Sequence, residues 1–276
     1  MGFRGTQAAL LLTPALVFLA LWFVAPLLRL FSLAFTDPTG PWAPFATLIG
    51  SPVYRQVFFN TLLVAVYVTV ICVLLAYPVA WLLNRLKGTW YVVALYCVLF
   101  PLWISVLVRT FSWMLLLERN GPVNGALMAA GIVDQPLNLL FSNTAVAIGM
   151  VHVMLPYAVL PIYAAMTRID PRLLQASDGL GASLFDTFFR VYLPLTMPGV
   201  LGGAAFVFLL SLGFFITPAL LGGLNAITLS MLIENLVNER LDWTLAAAAA
   251  LLLLLAVLML LALAARFVRF RQGSLP

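Results

Sequence analysis

A chain of 276 residues that is 64% hydrophobic and 8% charged, with a mean hydropathy of +1.11, is far from the roughly half-apolar, quarter-charged mixture of water-soluble domains, so it is read as an integral membrane protein. The formal net charge of +5 invites a nucleic-acid partner, but the positions of the basic residues account for it otherwise. Cys72 and Cys97 both fall in apolar stretches, which argues against a disulfide framework and leaves buried packing thiols as the expectation.

Apolar runs able to cross a bilayer as helix, about 20 residues each, lie at about 8–34, 57–83, 91–117, 143–166, 198–221 and 243–267. Six spanning helices in an all-α, polytopic transmembrane bundle are therefore expected. Strands of an outer-membrane barrel would alternate in hydropathy, whereas a helix in lipid satisfies its backbone polar groups within its own segment. The first run follows Arg4, and Ser32-Leu33-Ala34 looks like a small-residue cleavage site. Its apolar stretch exceeds the roughly 7–15 residues of a secretory signal core, so it is expected to stay as a helix.

The loops differ in kind. Residues 35–56 carry Thr36-Asp37-Pro38-Thr39-Gly40-Pro41 and read as irregular turns. The segment 118–142 contains Asn120-Gly121-Pro122 and a short apolar piece ending at Gly131, expected as one small helix with a glycine cap. The segment 222–242 opens on Gly222-Gly223 and is expected to hold a second short helix from Ser230 to Asn238, with Glu234 facing outward or into a cavity. Pro78, Pro101, Pro156, Pro161 and Pro218 lie within or near the ends of runs, where each removes a backbone hydrogen bond and makes a packing kink or a hinge. Gly199 and Gly203 have the GxxxG spacing that admits a close helix neighbour. The chain is divided into 1–56, the first helix and its outside loop; 57–265, the membrane domain; and 266–276, a cytoplasmic tail.

The basic residues set the orientation. With both termini in the cytoplasm, Arg4, Arg85, Lys87, Arg168, Arg172, Arg190, Arg266, Arg269 and Arg271 face inside, and Arg55, Arg119 and Arg240 face outside, with Arg29 and Arg109 left within runs. Nine against three satisfies the positive-inside rule and explains the net charge without nucleic acid. It also puts the polar island at 168–195, RIDPRLLQASDGLGASLFDTFFRVYLPL, on the cytoplasmic side.

Capping rules build that island. Asp170 before Pro171 is an N-cap with proline at the first helical position, where its missing N–H is an orphan anyway, and predicts a helix over about 171–178. Gly179 and Gly181 supply residues able to adopt positive φ, and Ser183 with Asp186 resembles a capping box opening a second helix. Leu173, Leu174, Leu180, Leu184, Phe185, Phe188 and Phe189 give the island an apolar face, while Arg172, Asp178, Asp186 and Arg190 hold it at the water boundary. Such a face seeks a groove or a membrane surface. A connector that merely lies on lipid would share the polarity but gives no reason for Ala176-Ser177, Gly181 and Leu193-Pro194 at their spacing.

That spacing is similar to the EAA loop of ATP-binding-cassette importer permeases, whose pattern is Glu-Ala-Ala, a glycine six residues after the Glu, and a later Leu-Pro; here it reads Gln175-Ala176-Ser177, Gly181 and Leu193-Pro194. Gln175 stands for the usual Glu and Ser177 for the second Ala, so a salt bridge from this end is lost, although an amide still hydrogen-bonds. Arg109-Thr110-Phe111-Ser112-Trp113-Met114, the segment Arg119-Asn120-Gly121-Pro122-Val123-Asn124, and the run from Gly213-Phe214-Phe215-Ile216-Thr217-Pro218 to Gly223 are similar to the spermidine/putrescine branch of that family. Together the matches cover much of 57–265.

The resemblance implies a type I importer (MetI-like) membrane domain with a cytoplasmic coupling helix. It implies a transport subunit rather than an enzyme, forming the path for a small solute, foremost spermidine or putrescine, that an external solute-binding protein delivers. Two ATPase subunits are expected to dock on the 170–194 loop through Leu173, Leu174, Gln175, Ala176, Ser177 and Gly181, and a second permease subunit to complete a heterodimer. The chain has no GxxxxGK[ST] phosphate loop; ATP and Mg are expected in the partner ATPase, with no cofactor, metal or catalytic residue here. The location implied is the inner membrane, in contact with lipid. Related branches carry ferric ions, thiamine and other small organic solutes.

Charges inside the runs carry the remaining expectations. Arg109 costs a few kcal/mol by insertion scales unless it finds a partner; Glu118 and Glu234 are the candidates, with substrate contact as the alternative. A polyamine favours carboxylates and aromatic faces, which makes Trp113, Phe215 and Glu234 pathway candidates alongside Arg109, although Arg109 would repel a cation. His152, the single histidine, is expected as a hydrogen-bonded packing residue in preference to a proton relay. A gradient-driven transporter would show more membrane carboxylates or an inverted repeat, and an intramembrane enzyme would need a catalytic set; neither pattern is evident.

Overall fold

The computed structural model describes the backbone of residues 5–223 and 226–272 and the side chains of 12–223 and 226–262. Arg4, the side chains of Arg266, Arg269 and Arg271, and the last four residues of the expected tail lie outside the described residues. In chain order the helices are α1 (Gly5–Leu19), α2 (Ala25–Leu33), α3 (Ala43–Gly50), α4 (Pro52–Arg85), α5 (Gly88–Trp103), α6 (Val106–Leu117), α7 (Pro122–Ala129), α8 (Asn143–Met166), α9 (Pro171–Gly179), α10 (Leu184–Thr187), α11 (Leu193–Leu212), α12 (Ile216–Leu221), α13 (Leu229–Asn238) and α14 (Trp243–Gln272). Among the described residues there is no strand. Five helical stretches are long and apolar enough to span: 12–33, 52–85, 143–166, 184–212 and 243–262; α5 and the helices after it make a sixth if that bent pair is one span.

Two turns of five residues, Ala20–Val24 and Phe188–Tyr192, are π-helical, and each is closed by an N–H reaching back five residues: Ala25 to Ala20 and Leu193 to Phe188. Both stand two residues before a proline, Pro26 and Pro194. A helical proline has no N–H and its ring crowds the carbonyl four residues back; widening the preceding turn relieves that crowding without breaking the helix. Accordingly α1 runs into α2, and α10 runs into α11.

Two of the expected spans are broken. The run 91–117 bends by 100° between α5 and the helices after it, because Ile104 and Ser105 are extended, with ψ of 135° at each. Pro101 cannot donate within the last turn of α5, and Ile104 N–H closes that turn onto Pro101 O at 3.3 Å. The run 198–221 ends as α11 at Leu212, and α12 starts afresh at Ile216 after Gly213. At its other end the same helix begins earlier than expected, at Leu184.

The chain forms two compact units, residues 1–56 with 232–276, and residues 57–231. In the first, the helix from Leu12 to Leu33 has none of its residues buried, and Phe35, Trp42 and Phe45 form an aromatic cluster with centroids 5.4–5.9 Å apart. Nearby, the hydroxyl and N–H of Thr39 donate to Asp37 and hold that carboxyl below its ordinary range. In the second unit α8 is the hub. Val64, Val68, Cys72, Ala76, Ala80 and Leu83 repeat every three or four residues along α4 and bury one stripe, the face expected of such spacing, with Cys72 Sγ donating to Val151 O of α8 at 3.7 Å. On another side of α8, a Cβ at Gly199 would lie 2.4 Å from Ala165 Cβ, and one at Gly203 would lie 3.0 Å from Ala158 O. The GxxxG pair of α11 thus admits backbone-close packing on α8.

Candidate functional site

The island at 168–195 forms the expected helix, glycine turn and helix. Asp170 caps α9 by accepting from Arg172 N–H at 2.9 Å. Leu180 N–H returns to Ala176 O and Ala182 N–H to Ser177 O, a reversal that requires Gly181 at φ +76°. Gly179, expected to share the positive-φ role, stays as the last residue of α9 instead, because one left-handed residue is enough to reverse the chain. Ser183 accepts from Asp186 N–H at 3.1 Å and donates to Asp186 Oδ2 at 2.6 Å, and Asp186 pairs with Arg190 at 3.2 Å.

The two arms are tied together internally. Ser177 Oγ lies 2.8 Å from Thr187 Oγ1, and both side chains are buried. Leu174 packs on the hydrophobic core, Phe188 meets Tyr77 edge-on at 6.0 Å, and Tyr77 Oη lies 3.1 Å from Thr196 Oγ1. Of the six expected docking residues, therefore, Leu174 and Ser177 face inward in this structure, while Leu173, Gln175, Ala176 and Gly181 are exposed. The most exposed apolar side chains are ones outside that set: Leu180 and Leu184, each 88% exposed, and Phe185, 71% exposed. Their signal in the sequence was apolar residues flanking a glycine turn, where no core can cover them. Since α10 continues into α11, the second arm of the loop is the head of a spanning helix, and one continuous helix joins the loop to the bundle.

Deeper in the same unit, the second halves of the two broken spans meet beside α8. Thr110 Oγ1 of α6 lies 3.2 Å from Thr217 Oγ1 of α12, and a Cβ on Gly149 of α8 would lie 2.6 Å from the Thr217 methyl. Trp113 Nε1 donates to His152 Nδ1 at 3.0 Å, which makes His152 the hydrogen-bonded packing residue expected. Arg109 is 6% exposed, acts electrostatically on Tyr157 and His152, and leaves Nε and Nη1 without a hydrogen bond. It forms no ion pair with Glu118, which lies past the end of α6; among the described residues the ion pair is Asp186–Arg190. Phe215 is half-buried at the break before α12. Glu234 belongs to the other unit, where it accepts from Asn238 Nδ2 at 3.2 Å. Of the four pathway candidates, Arg109 and Trp113 thus share one polar seam with His152, Phe215 opens the helix that carries Thr217, and Glu234 belongs to the other unit.

The chain is similar in sequence and in fold to known proteins. The family described as "Binding-protein-dependent transport system inner membrane component" matches residues 9–271. The chain is 36% identical over 189 residues to the spermidine/putrescine transport system permease protein PotB of Haemophilus influenzae, covering 68% of this chain and 66% of that protein. It is 34% identical over 203 residues to PotB of Escherichia coli, covering 73% of this chain and 74% of that one. In fold it is similar to a chain of a bacterial ABC transporter involved in the import of the acidic polysaccharide alginate, with a TM-score of 0.78 over 94% of this chain and 93% of that one, at 19% identity.

Proposed function

Since the chain belongs to the family of binding-protein-dependent transport system inner membrane components, we propose that it is a permease subunit of an ATP-driven importer of polyamines. The observation that carries the solute class is 34–36% identity, across about 70% of the chain, to two spermidine/putrescine permeases. In this account a solute-binding protein presents the polyamine outside, a second permease completes the path, and two ATPase subunits hold ATP and Mg beneath the 168–195 loop. Both termini face the cytoplasm. This chain supplies no chemistry to ATP hydrolysis; it supplies a surface and a lever.

The geometry supports that division of labour. Leu180, Leu184 and Phe185 form an exposed apolar knob at the loop tip, suited to a hydrophobic cleft in an ATPase. The Ser177–Thr187 hydrogen bond and the Phe188–Tyr77 contact join the knob to the bundle, so closure of the ATPases displaces α11 against α8. Breaks at Ile104–Ser105 and Gly213–Phe215 divide two spans into halves that can move separately, as backbone irregularity within a membrane allows when it lines a protected site.

Co-purification in mild detergent tests the reading. The tagged chain is expected to bring an ATPase and a second permease, and Gly181→Trp, which puts a bulky side chain at a φ of +76°, is expected to lose the ATPase. Absence of an ATPase with either chain would reduce the loop to a membrane-surface connector and end the importer reading.

A further inference from the structure

On α4, Val70, Leu74, Pro78, Trp81 and Arg85 follow one another at intervals of four, four, three and four residues, and all are exposed. Val68, Cys72 and Ala76, each two residues before a member of that stripe, are buried. Two residues turn a helix by about 200°, so the exposed stripe is the side of α4 turned away from the core. From Leu74 to Arg85 it rises about 16 Å at 1.5 Å per residue, the depth of one leaflet of a hydrocarbon core about 30 Å thick. Apolar side chains thus cover one acyl layer, and a cation stands at the end of the span, where headgroups begin.

That end holds two cations and no anion. Arg85 closes α4 and Lys87 stands in the two-residue turn before α5, both exposed; among the described residues the ion pair is Asp186–Arg190, and neither cation has one. The Arg85 guanidinium carbon lies 4.2 Å from the centroid of the Trp81 ring. Stacking covers one face of the planar group and leaves its N–H edge for a bidentate oxygen acceptor such as phosphate. Trp90, 73% exposed, flanks the turn from α5, and indole rings settle at the boundary of lipid and water. Tyr192, in the π-helical turn ahead of α11, interacts with Asn84 and Arg85, so an occupant held by Arg85 bears on the joint through which α10 runs into α11.

We propose that Arg85 and Lys87, flanked by Trp81 and Trp90, bind the phosphate of an anionic phospholipid whose acyl chain lies along the Leu74–Pro78–Trp81 stripe. A soluble phosphate matches the two cations but leaves the apolar stripe uncovered; a lipid satisfies both. Each cation close to an anionic membrane surface contributes about five-fold in affinity, so the pair favours an anionic headgroup over a zwitterionic one by roughly 25-fold. The site depends only on α4 crossing a membrane, and stands or falls separately from the importer reading. Its lipid steadies the contact between the end of α4 and the π-helical turn.

Native mass spectrometry of the full-length chain, released from nanodiscs of equal parts phosphatidylglycerol and phosphatidylcholine, reads which lipid stays bound. The thermal midpoint in nanodiscs with and without phosphatidylglycerol reads what the lipid does. The wild-type chain is expected to retain phosphatidylglycerol over phosphatidylcholine at least ten-fold and to melt higher when it is present. Arg85→Gln with Lys87→Gln is expected to lose both effects while keeping the wild-type midpoint in pure phosphatidylcholine. Arg119→Gln with Arg240→Gln, which removes the same charge from two other exposed positions, is expected to keep both, and Arg85→Lys, with the charge but without the fork, to fall between. If the double variant melts lower even in pure phosphatidylcholine, Lys87→Gln alone is read instead, with an expected five-fold loss of selectivity; unchanged selectivity there overturns the site. So does equal retention of the two lipids by the wild-type chain, or an equal loss in the Arg119 and Arg240 variant. Glycerol phosphate added to pure phosphatidylcholine nanodiscs is expected to leave the midpoint unmoved; if it reproduces the shift, the occupant is a soluble phosphate and the lipid site is refuted.

Discussion

Removing the Ser177 hydroxyl should loosen the 168–195 loop by a calculable amount. Ser177 Oγ and Thr187 Oγ1 are 2.8 Å apart and buried between the two arms, so Ser177→Ala deletes one hydrogen bond and strands a hydroxyl, at a cost of about 1–3 kcal/mol. The lower end applies, because a helical threonine can turn its hydroxyl to the carbonyl four residues back, here that of Ser183. About 1 kcal/mol corresponds to roughly a five-fold rise in the open population of the turn. Hydrogen exchange followed by mass spectrometry reads it directly: the amides of Leu180, Gly181 and Ala182, which close the turn, should exchange about five-fold faster. Ser177→Ala with Thr187→Val should return most of the protection, since replacing both partners by apolar groups is close to neutral. Unchanged exchange in Ser177→Ala, or additive losses in the double variant, would refute an internal tie between the arms.

Three other variants separate docking from folding. Gly181→Val, at φ +76° with open space around the added side chain, should cost about 1–2 kcal/mol of backbone strain alone, seen as a lower loop stability with an unchanged bundle midpoint. Leu180→Asp with Leu184→Asp, both on the exposed tip, should leave the folding stability within about 0.5 kcal/mol of wild type while abolishing ATPase recovery; retention of the ATPase would count against docking at the tip. Gly199→Leu should do the opposite, because its Cβ would lie 2.4 Å from Ala165 Cβ and 2.6 Å from Pro161 O, and overpacking of this kind costs about 1–3 kcal/mol or more; the midpoint in detergent should fall whether or not partners are present.

Local chemistry was legible in the sequence and tertiary direction was not. Asp170-Pro171, Gly181 and Ser183 with Asp186 specify caps and a reversal through rules that span only a few residues, and the structure forms them where expected. Hydropathy located the five spanning stretches and the bent pair that makes a sixth if it is one span, but a window average is blind to a bend, so the 100° break after Trp103 and the restart at Ile216 were missed. The π-helical turns had a signal, a proline two residues downstream, that hydropathy does not read. Which side of α9 faces the bundle depends on where α10 and Tyr77 lie, so the sequence did not tell that Leu174 and Ser177 face inward while Leu180, Leu184 and Phe185 are exposed. For Arg109 the sequence offered Glu118 and Glu234 as partners. The structure ends α6 before Glu118 and bonds Glu234 to Asn238.

Uptake of radiolabelled spermidine by proteoliposomes holding the complete assembly, with the binding protein outside and ATP enclosed, measures the central claim. The account predicts uptake that requires both ATP and the binding protein, stops with vanadate and persists when ionophores collapse the ion gradients. Uptake that survives removal of the ATPase, or that ionophores abolish while ATP remains, would contradict it.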